Sequence, residues 1–234
     1  MKRLLIVGAQ HGDERLGHRL YRYLVRTNMT TNVDFVCGNP RAYRQNIRYT
    51  ETDLNRSYGV DHPQSYEEKR AGKIQRRIAN GNYDYVLDIH TSRSDCDMFL
   101  ITANLGPVVR QMISATSMNR IAIMPPAIAQ GSLIGNVPQA LSIEVTRTIE
   151  AQLQTLECLA KVISNLVHEV AQAHQSRQLF YVEGTIANDT PIDASAKNFE
   201  KCHLGFYPVI YRHKGGTYSA HKGFYASNVI MEVI

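Results

Sequence analysis

The sequence predicts an α/β fold with a sheet covered by helices on both faces, followed by a small β-rich C-terminal domain. Short unbroken apolar runs alternate with segments whose apolar residues recur at helical spacing, which is typical of α/β proteins. After residue 176 the chain changes to short β-prone pieces separated by glycine-rich turns. With 234 residues, 44% of them hydrophobic, the chain is long enough for one large domain with an appendage. We therefore predict domains over residues 1–176 and 177–234.

The first elements alternate as expected for such a sheet. Residues 4–7 form an apolar run that predicts a buried strand, and leucines at 16, 20 and 24 predict the helix that follows. Residues 33–37 predict a second strand, which the breaker cluster at residues 38–40 ends. The polar segment over residues 39–63 lacks a period and is interpreted as a long ordered loop, a kind of loop that is often functional.

The middle of the chain continues the alternation. Ser65 and Glu68 form a capping-box pattern, which predicts a helix ending near Gly81. Other helices are expected around residues 108–113 and, as a long amphipathic segment, over residues 149–174. Further strands are predicted over residues 85–89, 98–101, 121–124 and 141–145. In the C-terminal domain the β-rich pieces are residues 179–182, 207–211 and 228–234.

Composition argues against several classes of protein. The 26 Lys and Arg against 21 Asp and Glu give a charge of +5, but they form no basic run and Trp is absent, so we expect no nucleic-acid partner. No apolar run approaches the length of a membrane span, and the N-terminus has too few apolar residues for a secretory signal, so we expect no membrane partner and a cytoplasmic location. The four cysteines are far apart, which indicates neither a zinc ribbon nor a disulfide framework.

Two histidines and a glutamate are candidate metal ligands. His11-Gly-Asp-Glu14 follows the first strand, and His90 ends another, so the carboxyl ends of two strands bring them to one edge of the sheet. Two imidazoles and one carboxylate hold zinc and leave a fourth position for water, which is the layout of a hydrolytic site. The alternatives are a surface His11 near a helix cap and a hydrogen-bonded His90 in the core. Asp88 shares the strand face of His90 and could orient a ligand, or cap a loop.

Glu144 is a lone carboxylate within an apolar strand. Burial of an unpaired carboxylate is costly, so such a residue usually has a partner or a chemical role. Beside an activated water it could accept a proton and deliver it to a leaving group. The alternative is a salt bridge to a nearby arginine such as Arg147.

The polar loop carries Arg41, Arg48, Asn55 and Arg56. Guanidinium groups bind carboxylates through two parallel hydrogen bonds, and one arginine near a metal could polarise a carbonyl. By itself the segment is equally consistent with a solvated loop.

Taken in order, these motifs resemble the succinylglutamate desuccinylase/aspartoacylase family of the zinc carboxypeptidase-like class. The resemblance covers about residues 4–150. It rests on the motifs His11-Gly-Asp-Glu14, Asn39-Pro-Arg41, Arg48-Tyr49, Asp53-Leu-Asn55-Arg56, Asp88-Ile-His90 and Ser142-Ile-Glu144-Val145.

The resemblance implies a mixed sheet between helices, a small C-terminal β domain and one zinc per chain. It implies His11, Glu14 and His90 as zinc ligands, Glu144 as general base and acid, and Arg48 as the group that polarises the scissile carbonyl. Asn55 and Arg56 would bind the substrate carboxylate, and Asp53 would support their loop.

The sequence departs from the family's pattern at two places. Gly-Pro often follows the family's glutamate, whereas Val145 and Thr146 stand here, and the Tyr and Arg that aspartoacylases place before the glutamate are absent from residues 130–138. These departures argue against specificity for N-acetylaspartate. In the C-terminal part Tyr218 is the candidate for a substrate-facing tyrosine, with Tyr225 as its competitor.

We therefore expect a zinc-dependent deacylase that cleaves the amide bond of a small, carboxylate-bearing N-acyl amino acid. Assembly into a homo-oligomer is compatible with the sequence. The alternatives are a metallocarboxypeptidase-type peptidase with the same residues and a non-catalytic carboxylate-binding protein on the same fold. A nucleotide-binding protein is disfavoured because residues 8–12 lack the GxGxxG spacing and no GK[ST] follows a strand.

Overall fold

The computed structural model describes residues 1–172, 175–211 and 222–234. Its strands are β1 (Leu4–Gly8), β2 (Val33–Cys37), β3 (Tyr85–Ser92), β4 (Met98–Thr102), β5 (Arg120–Ile123), β6 (Ala140–Thr146), β7 (Ser176–Ile186), β8 (Tyr207–Val209) and β9 (Gly223–Val233). Its helices are α1 (Leu16–Arg26), α2 (Pro40–Gln45), α3 (Tyr66–Asn80), α4 (Pro107–Ser114), α5 (Pro126–Ala129), α6 (Leu133–Asn136) and α7 (Leu153–His168), with a 3₁₀ turn at Leu54–Arg56.

The strands of the described residues form one mixed sheet in the order β2-β1-β3-β6-β4-β5-β7-β9-β8. Strands β2, β1, β3 and β6 are parallel, so their carboxyl ends lie at one edge. Strand β4 runs antiparallel to β6, and β5 and β7 continue parallel to β4. The predicted α/β class with a mixed sheet between helices is confirmed.

Helices cover both faces of the sheet because successive strand residues point to opposite sides. Leu4 and Ile6 of β1 belong to a core that includes the leucines of α1 and the apolar side of α7. Leu5 and Val7 belong to a second core, which contains Ile74 of α3 and the apolar residues of α5 and α6. Both faces are buried, which explains why the strands read as unbroken apolar runs rather than alternating ones.

Local signals set most element boundaries. The capping box of Ser65 and Glu68 is formed, and α3 begins at Tyr66 as predicted. The long C-terminal helix is shorter than predicted. Residues 147–151 form turns, and the helix ends at His168, followed by Glu169, whose φ of 56° is left-handed.

The segment over residues 39–63 is ordered as predicted, but it contains two short helical elements that the sequence analysis does not predict. Asn39 caps the six-residue helix α2 by accepting from the Ala42 backbone N–H, and Pro40 occupies its first turn. The helix is too short to show a period, and the residues that start it, Asn39 and Pro40, belong to the segment interpreted above as a breaker cluster. The 3₁₀ turn at Leu54–Arg56 begins with Asp53, which accepts from the Asn55 N–H.

The C-terminal strands continue the central sheet. Residues 120–123 of β5 pair with 178–181 of β7, and β9 pairs antiparallel with β7 and β8. The division into domains over residues 1–176 and 177–234 stays a prediction. Among the described residues, no helix combines the length and the apolar character that a membrane crossing requires.

Candidate metal centre and active-site cleft

The carboxyl ends of β1, β3 and β6 bring the predicted site residues together. His11 and Glu14 follow β1, and His90 lies near the end of β3. Glu144 of β6 is the register partner of His90, so the two side chains stand next to each other on one face of the sheet. All four residues are buried, and they line one cleft.

His11, Glu14 and His90 form a compact cluster of potential metal ligands. Ligand atoms from the three side chains lie within 4.8 Å of one another. The Glu14 carboxylate bridges the two rings, with Oε1 2.6 Å from Nδ1 of His11 and Oε2 3.0 Å from Nδ1 of His90. Two imidazoles and a carboxylate are a donor set that suits zinc.

The second ring nitrogen of each imidazole is hydrogen-bonded to another carboxylate. Nε2 of His11 lies 3.1 Å from Oδ1 of Asp53, and Nε2 of His90 lies 2.9 Å from Oδ2 of Asp88. Such a carboxylate fixes the tautomer and the ring orientation of a metal-binding histidine. Both Nδ1 atoms therefore face Glu14 while both Nε2 atoms are occupied, an arrangement that fits a metal ion at the Nδ1 side.

Close backbone contacts explain the glycine in the His11 motif. Ala9 has a φ of 55°, and this left-handed residue turns the chain away from β1 just before His11. A Cβ on Gly12 would lie 2.2 Å from the Ala42 carbonyl carbon, so only glycine allows α2 to pack against this turn. The chain is thus held where His11 and Glu14 can both reach His90.

Burial and charge set the ionisation of the cluster. Burial raises the pKa of Glu14, but the His11 and His90 rings outweigh it and hold that pKa well below its usual range. Burial lowers the pKa of both histidines, and the surrounding carboxylates reverse that effect and raise both above the usual value. The cluster therefore favours an ionised Glu14 between two strongly hydrogen-bonded imidazoles.

Glu144 differs from the other carboxylates of the cleft. Burial raises its pKa to about 7, with His90 the largest opposing influence. The alternative salt bridge with Arg147 is not formed within the described residues, since Arg147 Nη2 donates instead to Asp13 Oδ2 at 2.7 Å. A carboxyl group that titrates near neutrality is suited to accepting and releasing a proton.

Some residues of the polar loop line the cleft, whereas others make only structural contacts. Arg48, Asn55 and Arg56 line the cleft, and Arg48 donates to Asp53 Oδ2 at 3.1 Å. Arg41 instead donates to Glu51 at 2.8 Å on the surface, and Asn39 caps α2. The prediction that this loop supplies arginines to the site is thus limited to Arg48 and Arg56.

The two candidate tyrosines do not contribute a described group to the cleft. Tyr218 lies outside the described residues. Tyr225 belongs to β9, and its ring packs on Phe206 at a centroid distance of 5.4 Å. Its neighbour Phe224 lines the cleft instead, because adjacent strand residues face opposite sides.

The sequence patterns assign no role in the cleft to several other residues that line it. Asp13 lies between two arginines, at 2.7 Å from Arg147 and 3.5 Å from Arg93. Apolar residues from β4, α5, α6 and β9 also line the cleft. Their positions depend on contacts between segments that are far apart along the chain.

Comparisons with known proteins place the chain among the members of one family. The model of the succinylglutamate desuccinylase/aspartoacylase catalytic domain matches residues 1–170. A probable aspartoacylase of Acaryochloris marina is 35% identical over 121 residues, covering 46% of this chain and 40% of the relative. An N-acyl-aromatic-L-amino acid amidohydrolase of Xenopus laevis is 27% identical over 109 residues, covering 41% of this chain and 36% of the relative. These matches span less than half of the relatives' lengths.

The fold is shared with solved structures at low identity. The crystal structure of murine aminoacylase 3 superimposes with a TM-score of 0.75 and 18% identity, covering 99% of this chain and 96% of that one.

Proposed function

The chain belongs to the succinylglutamate desuccinylase/aspartoacylase family, and from that premise we propose that it is a zinc-dependent hydrolase of the amide bond in N-acyl amino acids. The observation that carries the proposal is the buried His11–Glu14–His90 cluster with Glu144 beside it. Relatives named aspartoacylase and N-acyl-aromatic-L-amino acid amidohydrolase share amide hydrolysis of an acylated amino acid.

His11, Glu14 and His90 would hold the zinc ion, and Asp53 and Asp88 would orient the two imidazoles. When bound, zinc would lower the pKa of a water molecule and polarise an acyl carbonyl. Asp53 also anchors Arg48, so one carboxylate would align a ligand and a guanidinium group at once.

Glu144 would move the protons of the reaction. As the water oxygen adds to the acyl carbon, the Glu144 carboxylate accepts a proton from that water. It then passes the proton to the amide nitrogen as the C–N bond breaks, which releases a carboxylic acid and an amino acid. Its elevated pKa matches this dual role near neutral pH.

The arginines would bind and stabilise the substrate. Arg48, part-buried and held by Asp53, would donate to the oxygen of the scissile carbonyl, where negative charge develops. Arg56 and Asn55, which lie together at the 3₁₀ turn of the cleft, would bind the carboxylate of the amino acid.

Replacement of Glu144 by Gln tests the proposal. We expect Glu144→Gln to lower kcat for N-acyl amino acids at least about 100-fold while the zinc content of the protein is unchanged, because the amide cannot accept a proton. Glu157→Gln, at an exposed position of α7, is the matched control and should keep full activity.

Metal content by mass spectrometry completes the test. We expect about one zinc per chain in the native protein and its loss in His90→Ala. Full turnover by Glu144→Gln, or a native protein that stays inactive with added zinc, would contradict the proposal. Release of a C-terminal residue from a peptide, rather than an acyl acid, would support the peptidase alternative.

A further inference from the structure

One part of the cleft lining is apolar and continuous. Ile101, Met124, Ile134 and Phe224 line the cleft and belong to a single hydrophobic core, and Ile128 packs against that core. We call these five residues the apolar wall. It faces the same cleft as the His11–Glu14–His90 cluster and as four arginines, Arg48, Arg56, Arg93 and Arg147.

The chain segment that supplies most of this wall carries no positive charge. Residues 121–146 contain no Lys, Arg or His, and Glu144 is their only charged residue. Ser132 is the polar residue that α5 and α6 bring to the cleft, and its hydroxyl already donates to the Ala129 carbonyl at 2.7 Å. A second carboxylate of a ligand would find no cation on this wall.

The apolar wall is fastened to the residues proposed to hold the substrate carboxylate. Leu133 N–H donates to Asn55 Oδ1 at 3.2 Å, and Tyr58 N–H donates to the Gly131 carbonyl at 3.0 Å. A Cβ on Gly131 would lie 2.6 Å from the Arg56 carbonyl oxygen, so the two segments are in direct backbone contact. Ile128 and Ile134 flank this junction in sequence.

The covalent geometry of an amino acid determines which part of the substrate contacts the apolar wall. The carboxylate and the side chain are bonded to the same α-carbon, so a side chain lies within a few ångströms of a carboxylate held by Asn55 and Arg56. Residues 131 and 133 contact Arg56 and Asn55 directly, so the part of the apolar wall formed by Ile128 and Ile134 adjoins this position. A carboxylate there would be desolvated without a partner, whereas an apolar group would gain from burial.

We propose that the amino-acid side chain of the substrate is apolar and packs against Ile128 and Ile134. This inference rests on the proposed function and names the substrate class of the same cleft. It sets the chain apart from enzymes whose substrates are acylated acidic amino acids.

The substrate preference of the zinc-loaded protein tests the inference. We expect kcat/KM for N-acetyl-L-leucine or N-acetyl-L-phenylalanine to exceed that for N-acetyl-L-aspartate at least about 100-fold, because the wall leaves a carboxylate unpaired. A preference for the aspartate or glutamate derivative would overturn the inference and leave the proposed function intact.

A cation placed in the wall should weaken this preference. We expect Ile128→Arg to lower the ratio of kcat/KM values, leucine over aspartate derivative, at least about 10-fold, since the guanidinium can pair with the second carboxylate. Val108→Arg is the matched control, because Val108 is 39% exposed on α4, against the other face of the sheet. An unchanged ratio in Ile128→Arg would contradict the placement of the side chain.

A binding measurement separates the two proposals. Titration calorimetry of the zinc-loaded Glu144→Gln protein should show tighter binding of N-acetyl-L-leucine than of N-acetyl-L-aspartate. If that order is found and the native protein hydrolyses neither compound, the inference stands and the proposed function fails. Binding of neither compound, or tighter binding of the aspartate derivative, would overturn the inference.

Discussion

At the residue scale, His11 and His90 each lie between two carboxylates. Glu14 faces both Nδ1 atoms, while Asp53 and Asp88 take the two Nε2 atoms. The Asp88 carboxylate is itself held, because Oδ2 accepts from Gln10 Nε2 at 2.7 Å and from Ser142 Oγ at 3.0 Å. The orientation of His90 therefore depends on hydrogen bonds made one step away from the proposed metal.

Replacement of Asp88 by Asn should weaken zinc binding. An amide is a poorer acceptor than a carboxylate, so His90 becomes less basic, and we expect the zinc dissociation constant to rise about 10- to 100-fold. Competition with a chelator of known affinity measures this change. Asp84→Asn, beside Lys2 and immediately before β3, should leave the affinity unchanged. Equal affinity in both variants would show that Asp88 does not support the metal.

At the element scale, helix α3 holds the polar loop of the cleft. The Glu67 carboxylate on α3 is buried and accepts from Asn39 Nδ2 at 3.0 Å and from the Thr50 backbone and hydroxyl at 2.8 and 2.6 Å. It also accepts from the backbone N–H groups of Glu51 and Thr52. Burial raises the pKa of Glu67, but these hydrogen bonds outweigh it and lower that pKa below the usual 4.5.

Glu67 should therefore give the protein a stability that depends on pH. At about pH 7 we expect Glu67→Gln to lower the free energy of unfolding by about 2 kcal/mol, because the charged acceptor of several donors is lost. A folded-state pKa below the unfolded-state value means that this stabilisation is present above pH 4.5 and is lost as the pH falls through the folded-state pKa.

Urea unfolding of the native protein and of Glu67→Gln at a series of pH values measures the effect. The difference between the two free energies should shrink on acidification. Glu157→Gln should match the native protein throughout. A difference that stays constant or grows as the pH falls would contradict the assigned role of the carboxylate.

At the scale of the whole molecule, Arg177 connects the C-terminal strands to the rest of the fold. It lies in β7 and is fully buried. Its guanidinium donates to the carbonyls of Met118 at 2.7 Å, Thr116 at 2.8 Å and Ile113 at 3.5 Å. These carbonyls belong to the end of α4 and the turn before β5, the strand that pairs with β7.

Replacement of Arg177 by Met should destabilise the protein. It leaves buried carbonyl groups without their donor, so we expect the free energy of unfolding to fall by about 3 kcal/mol. Arg22→Met, at an exposed position of α1, should change it by less than about 0.5 kcal/mol. Urea unfolding followed by circular dichroism gives both values. If the free energy of unfolding changes by less than about 0.5 kcal/mol in both variants, Arg177 does not stabilise the attachment of the C-terminal strands.

Local sequence determines much of this protein. The apolar runs and the capping box at Ser65 locate elements because strand burial and helix capping depend on neighbouring residues. The candidate ligands His11, Glu14 and His90 follow from the same logic, since the carboxyl ends of parallel strands meet at one edge. The family resemblance, carried by short motifs, agrees with the match over residues 1–170.

Tertiary contacts decided the rest. The composition and spacing of the polar loop do not distinguish Arg48 and Arg56, which line the cleft, from Arg41, which lies on the surface; only the family resemblance separates them. Nor does the sequence show that residues 128–134 meet Asn55, from which Leu133 is separated by 78 positions. The C-terminal strands likewise join the central sheet through β5 and β7. Such contacts arise when distant segments pack together, so spacing and periodicity along the chain carry no record of them.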